Sequence, residues 1–395
     1  MRKIILAGAC RTPIGVLGGT LSSVSTADLG AVVIKEAIRR TGISPEDVDQ
    51  VYMGCVIQAG LGQNVARQAS IKAGIPVTTP AVTMNVVCGS GLNCVNQAAE
   101  MILAGDAEIV VAGGMENMSM SPYAVPQGRF GCRMGDSVLM DTMVHDALTD
   151  AFHQYHMGIT AENIAERWGI SREEQDAFAV LSQEKATAAR EQGRFQEEIV
   201  PVTVKKKKET ILFKEDEGIR PETTVQSIAR LRPAFLEGGT VTAANSSGIN
   251  DGAAAVILLS EEKARELQVK PMAVWKAGAL AGVDPAIMGI GPVEASRKVM
   301  QKTGLAIRDF DLIEANEAFA AQSIAVAREL DIPQDRLNVN GGAIALGHPV
   351  GASGCRILVT LLYEMERRQA KRGLAALCIG GGMGCAAAIE REEGR

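Results

Sequence analysis

The chain has 395 residues, of which 47% are hydrophobic and only 4% aromatic, and its formal net charge is -6. A chain of this length exceeds what one hydrophobic core usually organises, so two or three domains are predicted. The negative net charge argues against a nucleic-acid-binding protein, and no apolar run is long enough to span a bilayer.

The first residues predict a buried strand. A short basic start precedes an apolar run over 4–9, and Arg11-Thr12-Pro13 follows at once. This run is too short for the apolar region of a secretion signal.

The cysteines argue for a reducing environment. Eight are present, and they lack the paired spacing that metal sites show. We therefore expect no metal site and a cytoplasmic location.

Strand and helix patterns alternate in the first and last thirds of the chain, which predicts two doubly wound α/β units. Residues 1–118 are expected to form an amino-terminal core half, to which residues 250–269 return. Residues 270–395 are expected to form a carboxyl-terminal core half. Residues 119–249 are rich in polar helix and loop signals, and we expect them to form an inserted domain that covers both halves and holds a large substrate.

Inside the insertion, Ser171 and Glu174 have the spacing of a helix capping box. The charge runs Lys205–Lys208 and Glu215–Glu217 are expected to be solvated loops.

Two glycine-rich stretches lie at corresponding places in the two halves. Cys88 precedes an apolar helical pattern, a strand-like run over 108–112 and a pair of glycines. His348 precedes a helical pattern, a strand-like run over 375–379 and three glycines. The shared order indicates a duplication, and a pseudo-twofold arrangement would bring Cys88 and His348 to one site. The match extends upstream to Asp47-Val48-Asp49 and Asp309-Phe310-Asp311.

Cys88 and His348 are the first candidates for chemistry. Cys88 stands just before a predicted helix, whose dipole and free amides would stabilise a thiolate. The alternative is a small buried cysteine, but the flanking glycines favour a nucleophile. His348 lies between Gly347 and Pro349 and is expected to pair with the thiolate and donate to a substrate oxygen, the alternative being a structural histidine.

Three further places carry candidates. Cys378 ends a predicted strand before a glycine turn, where open α/β sheets present reactive groups, or it is a buried strand cysteine. Asn316 follows another strand and is either a helix N-cap or a holder of a catalytic water. His156 and Met157 in the insertion have an ordinary packing interpretation as well.

At these motifs the chain resembles the thiolase family, from Lys3 to about Ile389. The resemblance implies an α/β fold of five layers, α-β-α-β-α, built from two related halves with an inserted loop domain. Family members are usually dimers or tetramers. The motifs that carry the resemblance are Asn85–Gly91, Asn316–Phe319, Asn338–Gly354 and Cys378–Gly384.

The resemblance also implies roles for the candidates. Cys88 would carry the acyl group, His348 would activate it, and Cys378 would take a proton from the second acetyl group. Asn316 would hold a water that forms one oxyanion hole with His348. The backbone amides of Cys88 and Gly380 would form the other.

Within the family, residues 155–163 resemble the short-chain, biosynthetic branch. The implied reaction is the reversible, ping-pong condensation of two acetyl-CoA to acetoacetyl-CoA and CoA, with no cofactor beyond the CoA of the substrates. His156 and Met157 would limit the acyl pocket. Ala244 departs from the glycine common in the coenzyme loop. The implied CoA-binding positions are Arg220, Ser227, Leu231, Phe235, Ala243, Ser247, Met288, Ala318 and Phe319.

Two other functions are considered. A non-catalytic acyl- or sterol-binding relative would be expected to lack Cys88, His348 or Cys378, and all three are present. A β-ketoacyl-carrier-protein synthase would typically combine cysteine with two histidines, or with histidine and asparagine, where this chain has Cys378 and a large insertion.

Overall fold

The computed structural model describes residues 2–206 and 209–392, and strands alternate with helices in the first and last thirds. The first third contains β1 (Ile4–Arg11), β2 (Gly15–Val16), α1 (Thr26–Thr41), β3 (Gln50–Gly54), α2 (Val65–Lys72), β4 (Ala81–Met84), α3 (Ser90–Ala104) and β5 (Ile109–Asn117). The middle contains β6 (Tyr123–Ala124), β7 (Met140–Asp141), α4 (Met157–Arg167), α5 (Arg172–Glu191), β8 (Val202–Lys205), β9 (Thr210–Phe213) and α6 (Val225–Ile228). The remainder contains β10 (Asn250–Ser260), α7 (Glu261–Glu266), β11 (Ala273–Gly282), α8 (Gly291–Thr303), β12 (Leu312–Ala315), α9 (Ala320–Glu329), α10 (Ala343–Leu346), α11 (Ser353–Arg368), β13 (Arg372–Ile379) and β14 (Met383–Glu390).

The two halves have the same sheet topology. The amino-terminal half has the order β4-β3-β5-β10-β1, and the carboxyl-terminal half has β12-β13-β14-β11. In each, one parallel pair (β3 with β5, β12 with β13) is followed by two antiparallel pairs. The counterpart of β4 is a single bridge from Ile313 to Leu337. Pairing of β1 with β11 joins both half-sheets into one sheet.

The two halves also share a pair of hydrogen bonds between an aspartate and the start of a strand. Asp49, just before β3, accepts hydrogen bonds from the amides of Glu108 and Ile109 at 2.7 and 2.9 Å. Asp311, just before β12, accepts from the amides of Lys371 and Arg372 at 2.8 and 2.9 Å. Asp49 therefore binds the start of β5, which pairs with β3, and Asp311 binds the start of β13, which pairs with β12. The upstream match in the sequence thus corresponds to an equivalent structural device in each half.

Helices and half-sheets stack in five layers, which confirms the expected fold. One core packs α1 and α2 on the outer face of the amino-terminal half-sheet. A second core encloses α3 and α11 between the two half-sheets. The third packs α8 and α9 on the outer face of the other half-sheet. Strand β1 is buried along its whole length, as predicted.

The segment between β5 and β10 leaves and re-enters the sheet at neighbouring strands, because β5 and β10 pair along their full length. Its helices α4 and α5 pack on α9 of the second half. Ser171 caps α5 and forms the predicted capping box with Glu174. Among the described residues, no helix has the length and apolarity needed to cross a bilayer.

The prediction of a solvated acidic run is wrong at two of three positions. Asp216 is buried and accepts from both terminal nitrogens of Arg11, at 2.8 and 2.9 Å. Glu217 accepts from the amide of Val16 at 3.0 Å, and only Glu215 is exposed. In the basic run, Lys205 and Lys206 are exposed, whereas Lys207 and Lys208 lie outside the described residues.

The amino-terminal ends of α3 and α11 meet without room for side chains. A Cβ added at Gly91 would lie 2.9 Å from the amide nitrogen of Cys355, and one at Gly354 would lie 2.5 Å from that of Leu92. Gly91 and Gly354 are therefore counterparts in the two halves. Counting back from them aligns His348 with Asn85, so Cys88 and His348 lie in equivalent loops but three residues out of register.

Candidate active site

Cys88 lies in the tight connection between β4 and α3, as predicted. The preceding Val87 has φ of +43°, a left-handed conformation that costs a β-branched residue on the order of 1–3 kcal/mol. Hydrogen bonds hold this conformation: Asn85 Oδ1 accepts from the Val87 amide at 3.0 Å, and Ser90 Oγ accepts from the Val86 amide at 2.9 Å. The strained turn places the Cys88 sulfur at the start of the helix.

The environment of Cys88 favours the neutral thiol. Burial raises its pKa to about 11, although hydrogen bonds from the backbone of Gly380 and of Cys88 itself lower it in part. The expected thiolate stabilisation by the helix end is therefore present but is outweighed by desolvation. Cys88 needs a base to remove its proton during the reaction.

His348 presents an unprotonated ring nitrogen. Its Nδ1 lies 2.6 Å from Ser353 Oγ, and the same hydroxyl donates to the Pro349 carbonyl at 2.8 Å. Because one hydroxyl hydrogen cannot serve both contacts, Nδ1 carries a hydrogen and Nε2 keeps a lone pair. Nε2 is buried and has no hydrogen-bond partner among the described residues. Burial, and then the Arg356 guanidinium, lower the pKa of His348 to about 4.

Asn316 lies in the connection between β12 and α9 and is not a helix cap, because α9 begins at Ala320 with Phe319 as its N-cap. Its side chain is buried, with Nδ2 3.5 Å from His348 Nδ1. Oδ1 has no partner within the described part of the chain. The water-holding alternative from the sequence fits this placement.

Cys378 is the penultimate residue of β13 and is fully buried. Burial, and then the charge of Cys88, raise its pKa far above the ordinary value of a thiol. Gly380 follows in the adjoining turn, where a Cβ would lie 3.5 Å from the sulfur of Met157. The two cysteines thus face one another from the two halves of the fold.

One cavity of about 310 Å³ collects Cys88, His348, Cys378 and Gly380, whereas Asn316 is not among the residues that line it. Its walls come from all three parts of the chain: residues 1–118, the segment between β5 and β10, and the carboxyl-terminal part. The sequence-predicted residues that line it are Cys88, His348, Cys378, Gly380, His156, Met157, Phe235, Ala243, Ser247, Met288, Ala318 and Phe319.

An adjoining cleft of about 430 Å³ shares Ala243, Ser246 and Gly248 with the cavity. The remaining predicted coenzyme residues line this cleft, together with Ala244: Arg220, Ser227 and Leu231. The cleft therefore adjoins the cavity that contains Cys88. The predicted CoA positions are therefore brought together by the fold.

Aromatic rings form one wall of the cavity. His156 stacks on Phe235 with ring centroids 4.5 Å apart, and Phe235 meets Phe319 edge to face at 6.2 Å. His156 also caps α4, because its Nδ1 accepts from the Gly158 amide at 3.0 Å. The insertion thereby fixes Met157, the next residue, at the cavity wall.

Sequence reasoning missed several residues of the site. Asn250 Oδ1 accepts from the His348 amide at 2.9 Å, and Ser353 sets the tautomer of the imidazole. Glu116 is buried and accepts from the amides of Val56, Ile57 and Gly351. The glycine-rich stretch containing Ser353 was a usable signal for that residue, but Asn250 and Glu116 act across large sequence separations.

Comparison with known proteins gives the family. A model of the amino-terminal domain of thiolases matches residues 4–262, and a model of the carboxyl-terminal domain matches residues 269–391. The chain therefore belongs to the thiolase family.

The relatives cover nearly the whole chain. The acetyl-CoA acetyltransferase of Chromobacterium violaceum is 59% identical over 98% of this chain and 100% of that protein. The enzyme of that name from Cupriavidus necator is 57% identical over 99% of this chain and 100% of its own length.

Solved structures give the same relationship. The crystal structure of Bacillus anthracis acetyl-CoA acetyltransferase matches with a TM-score of 0.97 and 45% identity over 99% of both chains. Human mitochondrial 3-ketoacyl-CoA thiolase in complex with CoA matches with a TM-score of 0.95 and 43% identity, over 99% of this chain and 98% of that one.

Proposed function

We propose that the protein is an acetyl-CoA acetyltransferase that condenses two acetyl-CoA to acetoacetyl-CoA and CoA, reversibly, through an acetyl-Cys88 intermediate. The observation that carries the proposal is the single cavity lined by Cys88, His348 and Cys378. The names of relatives at 59% and 57% identity support it.

In the first half-reaction the Cys88 proton passes to His348 Nε2 as the sulfur attacks the thioester carbonyl. The carbon–sulfur bond to CoA then breaks, and the departing CoA sulfur takes the proton of Cys378. The oxyanion is stabilised by a water held on Asn316 together with His348. This step leaves an acetyl group on Cys88 and a thiolate at Cys378.

In the second half-reaction the Cys378 thiolate removes a methyl proton from the second acetyl-CoA. The resulting carbanion attacks the acetyl carbonyl, a carbon–carbon bond forms, and the bond to Cys88 breaks. The Cys88 sulfur recovers its proton from His348, while the amides of Cys88 and Gly380 stabilise the second oxyanion. The raised pKa of Cys378 suits this role, because a weakly acidic methyl group needs a strong base.

The substrates supply the only coenzyme in this scheme. The CoA moiety would occupy the cleft lined by Arg220, Ser227 and Leu231, with the thioester end in the inner cavity. Met157 and the stacked His156–Phe235 wall would close the acyl end, which favours short acyl groups. A reducing, cytoplasmic setting agrees with the eight free cysteines, because both reactive thiols must stay unpaired.

We also propose that the working form is a homodimer or homotetramer. Apolar side chains are exposed along the segment that contains Phe130, Met134, Val138 and Leu139. Contiguous exposed apolar surface commonly marks a contact between subunits. Size-exclusion chromatography with light scattering measures the assembly, and a monomer at micromolar concentration would contradict this part of the proposal.

The purified protein tests the reaction directly. Incubation with radiolabelled acetyl-CoA should label Cys88 and release CoA, and the Cys88→Ala variant should remain folded and unlabelled. Thiolysis of acetoacetyl-CoA, followed by its absorbance, should be abolished in the same variant. Label retained in Cys88→Ala removes Cys88 as the nucleophile, and wild type without turnover overturns the proposed activity.

A further inference from the structure

The first turn of α11 carries two buried polar side chains on one face. Ser353 contacts His348 Nδ1 at 2.6 Å. Arg356 follows one turn later, only 2% exposed, so Ser353 and Arg356 point in the same direction from the helix. The histidine loop and a buried positive charge are therefore held by the same helical turn.

Strand β12 presents matching groups. Glu314 lies in β12, and Asn316 directly follows the strand, where its amide still donates to the Ala376 carbonyl at 2.9 Å; the two positions therefore share one face of this extended segment. Asn316 Nδ2 lies 3.5 Å from His348 Nδ1, and Glu314 Oε2 lies 3.8 Å from Arg356 Nη1. The Glu314–Arg356 pair thus connects β12 to the first turn of α11, next to the approach of Asn316 to the His348 side chain.

We infer that Arg356, paired with Glu314, is a positioning residue for the reaction: it holds His348 in register with Asn316 and keeps the imidazole neutral. The inference rests on the proposed role of His348 as the base. Arg356 lies in the helical layer between the two half-sheets and touches no substrate. The inference therefore adds to the site a residue that acts only through its neighbours.

Stability alone does not account for Arg356. None of its Nε, Nη1 and Nη2 atoms has a hydrogen-bond partner among the described residues, and burying a charge with such incomplete pairing costs free energy. The buried Arg11 differs, since it makes close contacts to Glu198 at 2.6 Å and Asp216 at 2.8 Å. A side chain retained at a cost beside an active site points to a functional constraint.

The charges around His348 give the positioning a second consequence. The charge of Arg356 on α11 lowers the pKa of His348, Glu314 is paired with Arg356, and the thiols of Cys88 and Cys378 share the cavity of His348. No carboxylate hydrogen-bonds the imidazole within the described part of the chain. The charge that shifts the pKa of His348 is positive, so it disfavours the imidazolium and preserves the lone pair on Nε2.

The environment of Arg356 itself adds three groups to this set. Besides Glu314, its charge interacts with Glu198 and Glu317, and it is opposed by Arg11. Removing the Arg356 charge therefore changes the pKa of His348 by the loss of one positive charge. The carboxyl groups of Glu198, Glu314 and Glu317 adjust their own protonation in response.

The test compares Arg356→Met, which removes the charge, with Arg356→Lys, which keeps it. For each, kcat/KM for acetoacetyl-CoA thiolysis is measured against pH. In Arg356→Met the pH below which the rate falls should rise by about one unit, since a positive neighbour no longer opposes protonation of His348. Arg356→Lys should retain the wild-type acid limb even where kcat falls.

Arg11→Met is the matched control, because it also removes a buried arginine charge. Arg11 contacts Glu198 and Asp216, whereas Arg356 pairs with Glu314 of β12. Arg11→Met should lower the melting temperature and leave the acid limb in place. Arg356→Gln gives the same comparison where the methionine variant does not fold.

The inference is overturned if the acid limb of Arg356→Met or Arg356→Gln stays at the wild-type pH, or if Arg356→Lys moves it equally far. Failure of the proposed function has a different signature, which is a wild-type protein without thiolysis at every pH.

Discussion

Gly91 of α3 and Gly354 of α11 lie where the amino-terminal ends of the two helices meet, and backbone atoms on the opposite side fill the space that a side chain at either position would need. An added Cβ would meet backbone atoms of the opposite helix at 2.9 Å for Gly91 and 2.5 Å for Gly354. Backbone cannot move aside as the end of a flexible side chain can. The close approach of these two helix ends sets the separation of the Cys88 and His348 loops.

Gly354→Ala should therefore lower both stability and activity. Overpacking of this kind typically costs about 1–3 kcal/mol, and the helix ends must separate to relieve it. Thermal unfolding measures the first effect, and the rate of Cys88 acetylation measures the second.

Gly282→Ala is the control for that variant. Its added Cβ would have only Gly382 O nearby, at 4.0 Å, so stability should stay within about 0.5 kcal/mol of wild type. Equal stability of the two variants would contradict the proposed crossing.

Alkylation of Cys88 by iodoacetamide should accelerate with pH across the neutral range. Burial raises the pKa of Cys88 to about 11, so the thiolate fraction grows about tenfold for each pH unit below that value. Mass spectrometry of the labelled peptide follows the rate, and Cys88→Ala controls for reaction at the exposed Cys132. A rate that levels off near pH 7 would show instead that the helix end stabilises a resting thiolate.

Cys378→Ser should block condensation far more than acetylation of Cys88. Loss of the Cys378 proton slows the departure of CoA only modestly, because a thiolate is already a good leaving group. The methyl proton of the second substrate needs an ionised base, and a serine hydroxyl is too weakly acidic to supply one. Acetyl-enzyme is quantified by mass after rapid mixing with acetyl-CoA, and turnover is measured in parallel. Loss of both in equal measure would show that the two half-reactions do not divide between the cysteines as proposed.

Met157→Ala should extend the acyl range. Met157 is buried at the cavity wall, against the position of Gly380, and its volume is what a longer chain needs. Relative kcat/KM for a six-carbon 3-ketoacyl-CoA over acetoacetyl-CoA should rise about ten- to two-hundredfold.

Met118→Ala is the comparison for chain length, because Met118 also lines the cavity but packs in a separate cluster with Val350. It should leave the ratio near the wild-type value. Equal wild-type rates on both substrates, unchanged in Met157→Ala, would assign the chain a broad acyl range.

Local patterns predicted the architecture well because the two halves repeat them. The order of glycine stretch, helix and strand occurs twice, and equivalent aspartates precede β3 and β12. The capping box at Ser171 also needs only residues three apart. Such features are decided within a few residues of the chain, so a single sequence displays them.

Interactions between distant segments were not predictable in the same way. Asp216 belongs to a run of charged residues, and such runs normally face solvent. Its burial depends on an ion pair with Arg11, which lies about 200 residues earlier, in β1. The pKa of Cys88 depends on desolvation by elements from both halves, which outweighs the local helix end. Gly91 and Gly354 are the counterpart positions in the two halves. Cys88 lies three residues before its glycine and His348 lies six before its own, so the two reactive residues are not themselves counterparts.

Strand β1 pairs with β10 on one side and β11 on the other. It cannot form these hydrogen bonds until both partner strands have been synthesised. β1 leaves the ribosome before its partners, which begin at residue 250. At about 5–20 residues per second this delay lasts roughly 10–50 seconds. Until then β1 has both edges open and its apolar residues 4–10 exposed, so chaperone protection in that interval should matter more for the yield than the stability of the finished protein.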